Sequence, residues 1–143
     1  MCKVELAVVL LFVGLVHGHN KTHTKNDIVQ MKKRFQMECI EETRVDQDIV
    51  SAVRRGYWTV PKAQLPLLKE WALCAMIKTG LMTKQGVYKI DVALQKVPRP
   101  QRYDAEKLID KCLSTKAIPA PDIAYEFVKC FQRTNANYTV SIF

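Results

Sequence analysis

The sequence is poor in histidine, and the few it has lie at one end. The three histidines, His17, His19 and His23, all precede the first segment with helical spacing. A Ser–His–Asp triad or a phospholipase-type histidine–aspartate pair needs a histidine held in the folded body. Glu41 and Glu42, a pair of carboxylates, are adjacent on a predicted helix and so point apart. These absences predict that the protein is not an enzyme.

The chain also lacks the pattern of a β-strand. No stretch rich in Val, Ile and Thr alternates apolar and polar residues with a period of two, and there are no repeats or low-complexity segments. Glycine and proline instead separate short apolar segments whose spacing is helical. The pattern predicts a single all-α domain of six short helices.

The first 18 residues are typical of a secretory signal peptide. Lys3 gives a weak positive start, 6–16 is an unbroken apolar run, and Val16 and Gly18 are small enough to flank a signal-peptidase cut. The run is shorter than the roughly twenty apolar residues that span a bilayer. We therefore expect removal of residues 1–18 and a secreted, extracellular domain of residues 19–143.

The net charge of +8 does not indicate nucleic-acid binding. Its basic clusters, 32–34, 54–55 and Lys107 with Lys111, fall on separate predicted helices. No basic groove with interleaved aromatic residues is formed, as binding to a nucleic-acid strand would require. The clusters are interpreted as solvated helix faces, and no nucleic-acid partner is expected.

Cysteine usage indicates two disulfides. Cys2 leaves with the signal peptide, and Cys39, Cys74, Cys112 and Cys130 remain, an even number in an oxidising compartment. Three connectivities are open at this point. No two of these cysteines form a CxxC pair and no histidine lies near them, so no metal site is predicted.

One predicted helix, 66–80, organises the others. Between Leu67 and Ile77 only Lys69 and Glu70 are polar, so this helix is apolar on almost every side and is stable only when surrounded. The remaining helices are predicted at 27–42, 47–55, 87–97, 101–113 and 121–133, with Asn26, Asp46 and Asp91 as N-terminal caps.

In the first of these helices, four apolar residues are predicted to share one inward face. Ile28, Met31, Phe35 and Cys39 follow one another at spacings of three, four and four.

Six short helices, a signal peptide and this cysteine placement resemble the insect odorant-binding proteins of the pheromone- and general-odorant-binding type. That family usually has six cysteines, with three residues between the second and third and eight between the fifth and sixth. Cys39, Cys74, Cys112 and Cys130 match the first, third, fourth and sixth. Further matches along the mature chain are Gly56 before an aromatic connector, 77–80 at the end of the central helix, and Ala124-Tyr125 before the last cysteine.

Two positions depart from the family pattern. Glu70 lies four residues before Cys74 and Pro121 nine before Cys130, where the second and fifth cysteines would stand. Because those two cysteines are partners in the family, losing both leaves no orphan thiol. The chain therefore resembles the four-cysteine "minus-C" subgroup.

The resemblance implies a pairing, a pocket and a function. The pairing is Cys39–Cys74 and Cys112–Cys130, and the function is to carry odorants, pheromones or similar small hydrophobic molecules in an internal apolar cavity, without a cofactor. Tyr88 is expected to be the hydrogen-bonding anchor, and the apolar tail 138–143 is expected to fold over the pocket mouth. The residues aligned with the ligand pocket are Trp58, Ala72, Met76, Leu81, Tyr88, Ile109, Phe127 and Phe131, with Phe143 added from the tail.

Other properties and functions stay open. The expected partner is a small apolar volatile or lipid-like ligand, and a membrane odorant receptor is a further expected partner. The expected oligomeric state is a monomer or a weak homodimer. Asn20 and Asn137 lie in glycosylation sequons. The alternatives are a secreted cytokine-like signalling protein, which would need four long helices, and a membrane-disturbing protein, which would need a strongly amphipathic basic helix.

Overall fold

A computed structural model of the chain describes residues 24–134. The predicted signal peptide 1–18, the sequons at Asn20 and Asn137, and the tail 138–143 with Phe143 lie outside the described residues. The predictions that concern them are carried forward as predictions.

The described part is all-α, as predicted. The helices are α1 (Lys25–Thr43), α2 (Gln47–Arg54), α3 (Leu65–Lys78), α4 (Ile90–Gln95), α5 (Arg102–Cys112) and α6 (Ala120–Arg133), and a 3₁₀ turn at Arg99–Gln101 leads into α5. Within residues 24–134 the only β pairing is one isolated antiparallel bridge, between Met82 and Tyr88.

Helix α3 is the buried centre that its composition predicts. It packs against α6 and α1. Met76 is fully buried and Leu68 and Trp71 are 1% exposed, while Lys69 and Lys78 reach the surface of the bundle. The buried residues of α3 are Leu68, Trp71, Ala72, Leu73, Ala75 and Met76. The helix contributes side chains to the core in most directions around its axis.

The cap of α1 differs from the prediction. Thr24, not Asn26, precedes the helix, and its hydroxyl accepts a hydrogen bond from the Asp27 N–H while the Asp27 carboxylate accepts one from the Thr24 N–H. This reciprocal pair, a capping box, satisfies the backbone N–H groups of both Thr24 and Asp27. Asp46 caps α2 as predicted, through the N–H of Asp48 at 2.7 Å.

The predicted inward face of α1 is wrong in its first half. Ile28 and Met31 are 41% and 40% exposed, whereas Cys39 is fully buried. The disulfide to α3 and the ion pairs of Glu38 and Glu42 with Lys78 all engage the C-terminal half of α1. At about 28 Å for α1 against about 21 Å for α3, the helix is too long for its partner to cover it entirely.

Helix α4 is shorter than predicted because the chain before it forms a turn. It begins at Ile90, not at 87, and Asp91 lies inside its first turn while Lys89 stands at the cap position. The Thr83 N–H donates to the Val87 carbonyl at 2.9 Å, and the Lys89 N–H donates to that of Leu81 at 2.8 Å. These bonds and the bridge to Met82 fix Tyr88 in extended backbone.

This turn packs closely against the start of α6. Gly86 has a φ of +84°, and a Cβ there would lie 3.0 Å from Ile123 Cδ1 and 3.1 Å from Ala120 Cα. A side chain would therefore clash as well as strain the backbone. Gly86 allows the turn to bring Tyr88 to α6.

The disulfides are Cys39–Cys74 and Cys112–Cys130, with Cα atoms 5.7 Å and 5.5 Å apart. The pairing implied by the family resemblance is confirmed, and the other two connectivities are not formed. The bonds join α1 to α3 and α5 to α6. Each contributes about 3–4 kcal/mol if loop closure in the unfolded chain dominates.

No disulfide joins α3 to α6 in the described part, although these two helices pack directly against each other. An ion pair stands there instead, between the Lys69 ammonium and the Asp122 carboxylate, with both side chains less than one-third exposed. Its members directly neighbour Glu70 and Pro121, the positions that the resemblance assigns to the second and fifth cysteines of the odorant-binding proteins.

We expect this ion pair to contribute to stability in a salt-sensitive way. In a double-mutant cycle of Lys69→Met and Asp122→Asn, the coupling energy should be about 0.5–1 kcal/mol in urea unfolding at low salt. It should shrink at 1 M NaCl, where the screening length is about 3 Å. Additive effects of the two substitutions at low salt would show that the pair does not hold α3 to α6.

Candidate functional site

Three aromatic rings form a continuous stack inside the bundle. The Tyr88 and Phe127 ring centroids are 4.6 Å apart with a tilt of 38°, and those of Phe127 and Phe131 are 5.5 Å apart and stacked. Phe127 and Phe131 are four residues apart on α6 and therefore lie on one face of it. These three residues are called the aromatic stack below.

The other predicted pocket residues belong to the same apolar core. Met76 and Ile109 are fully buried, and Ala72 and Leu81 are 2% exposed. Trp58, Tyr88 and Phe131 are partly buried and pack against this core. The structure therefore places all eight described candidates in one contiguous cluster, with direct ring contact within the aromatic stack.

The Tyr88 hydroxyl is the polar atom of this cluster that stands out. It is buried, and no described residue hydrogen-bonds to it. Burial raises the pKa of Tyr88 well above its usual value, so the group stays protonated and able to donate at physiological pH. A buried hydroxyl without a partner costs about 1–3 kcal/mol. An acceptor oxygen placed beside it would recover that free energy.

Trp58, in the connector between α2 and α3, packs against a different face of α6 from the one that carries Phe127 and Phe131. Its ring meets that of Tyr125 edge to face at 5.5 Å, and the Lys129 ammonium lies over both rings. Tyr125, Lys129 and Gln132 follow at spacings of four and three, on a stripe of α6 separate from Phe127 and Phe131.

Gln132 is a residue that sequence reasoning missed. Its side-chain oxygen accepts a hydrogen bond from the Trp58 indole N–H at 2.6 Å, and its Nε2 donates to the carbonyls of Val53 and Arg54 at 2.9 Å each. One side chain thereby joins the end of α2, the connector and α6. A glutamine near the end of a helix gives no sequence signal for such a role, because its partners are two backbone carbonyls and a distant indole.

Within residues 24–134, no group of three or more His, Cys, Asp or Glu side chains is arranged to hold a metal ion. Nor does any helix there combine the length and apolar character needed to cross a membrane.

The fold and site define a class: a small helical protein, linked by disulfides, with an aromatic stack in an apolar core. Comparison with known proteins specifies it further. The chain belongs to the PBP/GOBP family, whose sequence profile matches residues 21–134.

The individual relatives are distant but cover most of the chain. The B1 protein of Tenebrio molitor is 26% identical over 122 residues, 84% of this chain and 89% of its own length. General odorant-binding protein 69a of Drosophila melanogaster is 23% identical over 135 residues, 93% of this chain and 87% of its own. Among solved structures, the fatty acid binding protein OBP56a from the oral disk of the blowfly Phormia regina has the same fold, with a TM-score of 0.60 and 22% identity over 78% of this chain and 94% of its own.

We expect Gln132→Leu to destabilise the protein by about 1–3 kcal/mol, because the half-buried Trp58 indole N–H and the Val53 carbonyl lose their partner, together with the exposed Arg54 carbonyl. Urea unfolding followed by far-UV circular dichroism measures this. Gln95→Leu, at the exposed end of α4, makes the same chemical change without those bonds and should have little effect. Equal stabilities of the two variants would show that the hydrogen bonds of Gln132 are not important to the fold.

Proposed function

We propose that this protein is a secreted carrier that binds small hydrophobic ligands and transports them through aqueous fluid. The observation that supports this most directly is the Tyr88 hydroxyl, a buried donor at the end of an aromatic stack in an otherwise apolar core. A ligand pocket is expected to combine apolar lining with one or few polar groups that orient the ligand. Membership of the PBP/GOBP family supports the same function.

The proposed pocket is lined by the aromatic stack and by Ala72, Met76, Leu81 and Ile109. Trp58, which contacts a separate stripe of α6, and Phe143, outside the described residues, are included as proposals from the family resemblance. A ligand that buries roughly 300 Å² of apolar surface gains about 7 kcal/mol at 25 cal/mol per Å². By itself this gain corresponds to a dissociation constant of about 10 µM, and ordering costs weaken it, so we expect affinities of tens of micromolar, which permit both uptake and release.

The proposal includes the setting in which the protein acts. Residues 1–18 direct secretion, the protein works as a monomer or weak homodimer without a cofactor or catalytic step, and a membrane odorant receptor is a further partner. We also propose membership of the minus-C subgroup. Support for this comes from the two disulfides and from the Lys69–Asp122 ion pair at the site of the missing third one.

Loss of the Tyr88 hydroxyl should weaken oxygen-containing ligands selectively. In competition with a fluorescent apolar probe such as N-phenyl-1-naphthylamine, Tyr88→Phe should bind 1-decanol about five- to tenfold more weakly, equivalent to the loss of one hydrogen bond of about 1 kcal/mol. Binding of 1-decene should change less than about twofold, because decene has no oxygen and forms no hydrogen bond with the Tyr88 hydroxyl that the substitution could remove.

Tyr103→Phe is the matched control, because that ring is 66% exposed on α5. If Tyr88→Phe changed the affinities for decanol and decene equally, the Tyr88 hydroxyl would not be the group that binds the oxygen of the ligand. If the wild-type protein binds no apolar probe up to about 100 µM, above the range expected of this pocket, the carrier function is wrong and the signalling alternative takes its place.

We propose further that the tail 138–143 covers the pocket mouth, since Val140, Ile142 and Phe143 are apolar and would lose contact with water there. Deleting residues 138–143 should then weaken probe binding at neutral pH. A control that replaces the same residues with a Gly/Ser sequence of equal length keeps chain length constant and should weaken binding as well, because the apolar side chains are lost. Unchanged affinity in both variants would contradict the lid.

A further inference from the structure

The basic C-terminal ends of α2 and α6 lie side by side. The Gln132 side chain on α6 donates to the carbonyl oxygens of Val53 and Arg54 at 2.9 Å each, which fixes the last turn of α2 against the last turn of α6. Arg55 caps α2 directly after Arg54, and Arg133 follows Gln132 as the last residue of α6. Charges that the sequence carries on separate helices are therefore brought to one surface by the fold.

Lys129, three residues before Gln132 on α6, belongs to the same surface. Its ammonium lies 5.9 Å from the centroid of the Trp58 ring, whose indole N–H donates to Gln132 at 2.6 Å. The same ammonium lies 5.5 Å from the centroid of the Tyr125 ring. The basic residues that these contacts bring together are called the basic patch below: Arg54, Arg55, Lys129 and Arg133.

The basic patch is not neutralised by carboxylates. Within residues 24–134 none of its members forms a salt bridge, whereas Arg34, Lys69 and Lys78 all pair with carboxylates elsewhere on the protein. Glu126 is exposed three residues before Lys129, and it forms no salt bridge with any described residue either. The patch therefore combines several positive charges with one neighbouring negative charge on α6.

The two helix ends offset only part of this positive charge. The C-terminus of an α-helix acts as about half a negative elementary charge, so α2 and α6 together supply about one. Two carbonyls at the end of α2 already accept hydrogen bonds from the neutral Gln132 amide. With Glu126 counted as well, an excess of about two positive charges remains at the surface.

An exposed aromatic ring adjoins the basic patch. Tyr57 is 67% exposed, and its backbone N–H donates to the Ala52 carbonyl at 3.0 Å, which holds this residue at the end of α2. Gly56, with a φ of +94°, makes the turn that leads to it. Tyrosine is enriched at the headgroup level of membranes, where its ring meets apolar chains and its hydroxyl meets water.

The composition of this surface favours a membrane over a protein or a nucleic acid. A protein–protein interface has an apolar core, but on α2, the connector and α6 the exposed large hydrophobic residue is Tyr57. A nucleic-acid strand stacks its bases on free aromatic faces, but the rings of Trp58 and Tyr125 meet each other and Lys129. Lysine and arginine beside an anionic bilayer need neither feature, because its negative surface potential attracts them without fixed contacts.

We infer that the basic patch docks the protein on the surface of a membrane that contains anionic phospholipids, with the Tyr57 ring at the level of the headgroups. Docking of this kind uses the charges at two helix ends and one aromatic ring. It goes beyond ligand carriage and requires no ligand in the core. It would place the protein beside the membrane partner proposed above.

The test measures co-sedimentation of the mature protein, residues 19–143, with vesicles of phosphatidylcholine and phosphatidylserine, and with vesicles of phosphatidylcholine alone. Arg55→Gln with Arg133→Gln should weaken binding to the anionic vesicles about 25-fold, because each Lys or Arg near such a surface contributes about fivefold. Both side chains are exposed, so the far-UV circular dichroism spectrum should not change. Binding of the wild type should fall as salt is raised, since the screening length shortens to about 10 Å at 0.1 M.

Lys84→Gln with Lys116→Gln is the matched control, because it removes the same charge from exposed positions near the start of α6. The 14 residues of α6 span about 21 Å, twice the screening length of about 10 Å at 0.1 M salt. This control should therefore change binding to the anionic vesicles less than about twofold. Arg55→Lys with Arg133→Lys must retain binding because the charge is kept.

Equal losses in the Arg55→Gln/Arg133→Gln variant and the lysine control would overturn the inference, as would equal binding of the wild type to neutral and anionic vesicles. If the patch binds poly-glutamate or a single-stranded oligonucleotide but not the anionic vesicles, its partner is not a membrane and the inference is wrong. Displacement of N-phenyl-1-naphthylamine tests the carrier function separately, and the Arg55→Gln/Arg133→Gln variant should bind this probe as the wild type does. A wild type that binds the vesicles but not the probe would contradict the carrier function and support the docking.

Discussion

The structure depends on the burial of α3, a helix that is stable only when other helices cover it. With Leu68, Trp71 and Met76 within 1% of complete burial, little of its apolar surface is left to water. This constraint also determines where its charges lie. Lys69 and Lys78 emerge at the edges of α3 and meet carboxylates of α6 and α1, so the polar contacts of α3 reinforce the packing that its apolar residues require.

Within residues 24–134, helix α3 is joined to α1 by a covalent bond but to α6 by noncovalent contacts only, and this difference is important for a protein that must admit a ligand. One disulfide joins α1 to α3 and the other joins α5 to α6, which makes two covalently linked helix pairs. Between them, in the described part, α3 and α6 are joined by packing and by the Lys69–Asp122 ion pair. The aromatic stack is built on α6 along this noncovalent interface. Small displacements of the linked pair α5 and α6 relative to the linked pair α1 and α3 would therefore change the proposed pocket without straining either disulfide.

The sequence predicts those features that depend on the residues of a single helix, and the family resemblance supplies the pairing of the cysteines in the two disulfides. The burial of α3 follows from its nearly unbroken apolar residues, and the cap at Asp46 from local chemistry. Exposure of Ile28 and Met31 could not be predicted, because the spacing of apolar residues on α1 does not reveal how far α3 extends. The shortened α4 depends on backbone hydrogen bonds across the turn at Gly86, which have no side-chain signature.

In the candidate site, too, contacts within one helix were predictable from the sequence, whereas contacts between distant elements were not. Phe127 and Phe131 are predictable partners because they are four residues apart on one helix, whereas their contact with Tyr88 needs the turn that brings it to α6. Gln132 was missed because it acts across elements far apart in sequence, largely on backbone carbonyls.

Selection among ligands must come from such polar groups rather than from the apolar core. One methylene more or less in an apolar pocket changes binding by about 1–3 kcal/mol and gives little basis for telling one functional group from another. A buried donor is different, because a ligand that leaves it without an acceptor forfeits a hydrogen bond in a dry environment. In this fold the buried Tyr88 hydroxyl, at the end of the aromatic stack, is such a donor. The proposed pocket would therefore favour ligands that bring an acceptor oxygen to this hydroxyl over ligands of the same length that have none.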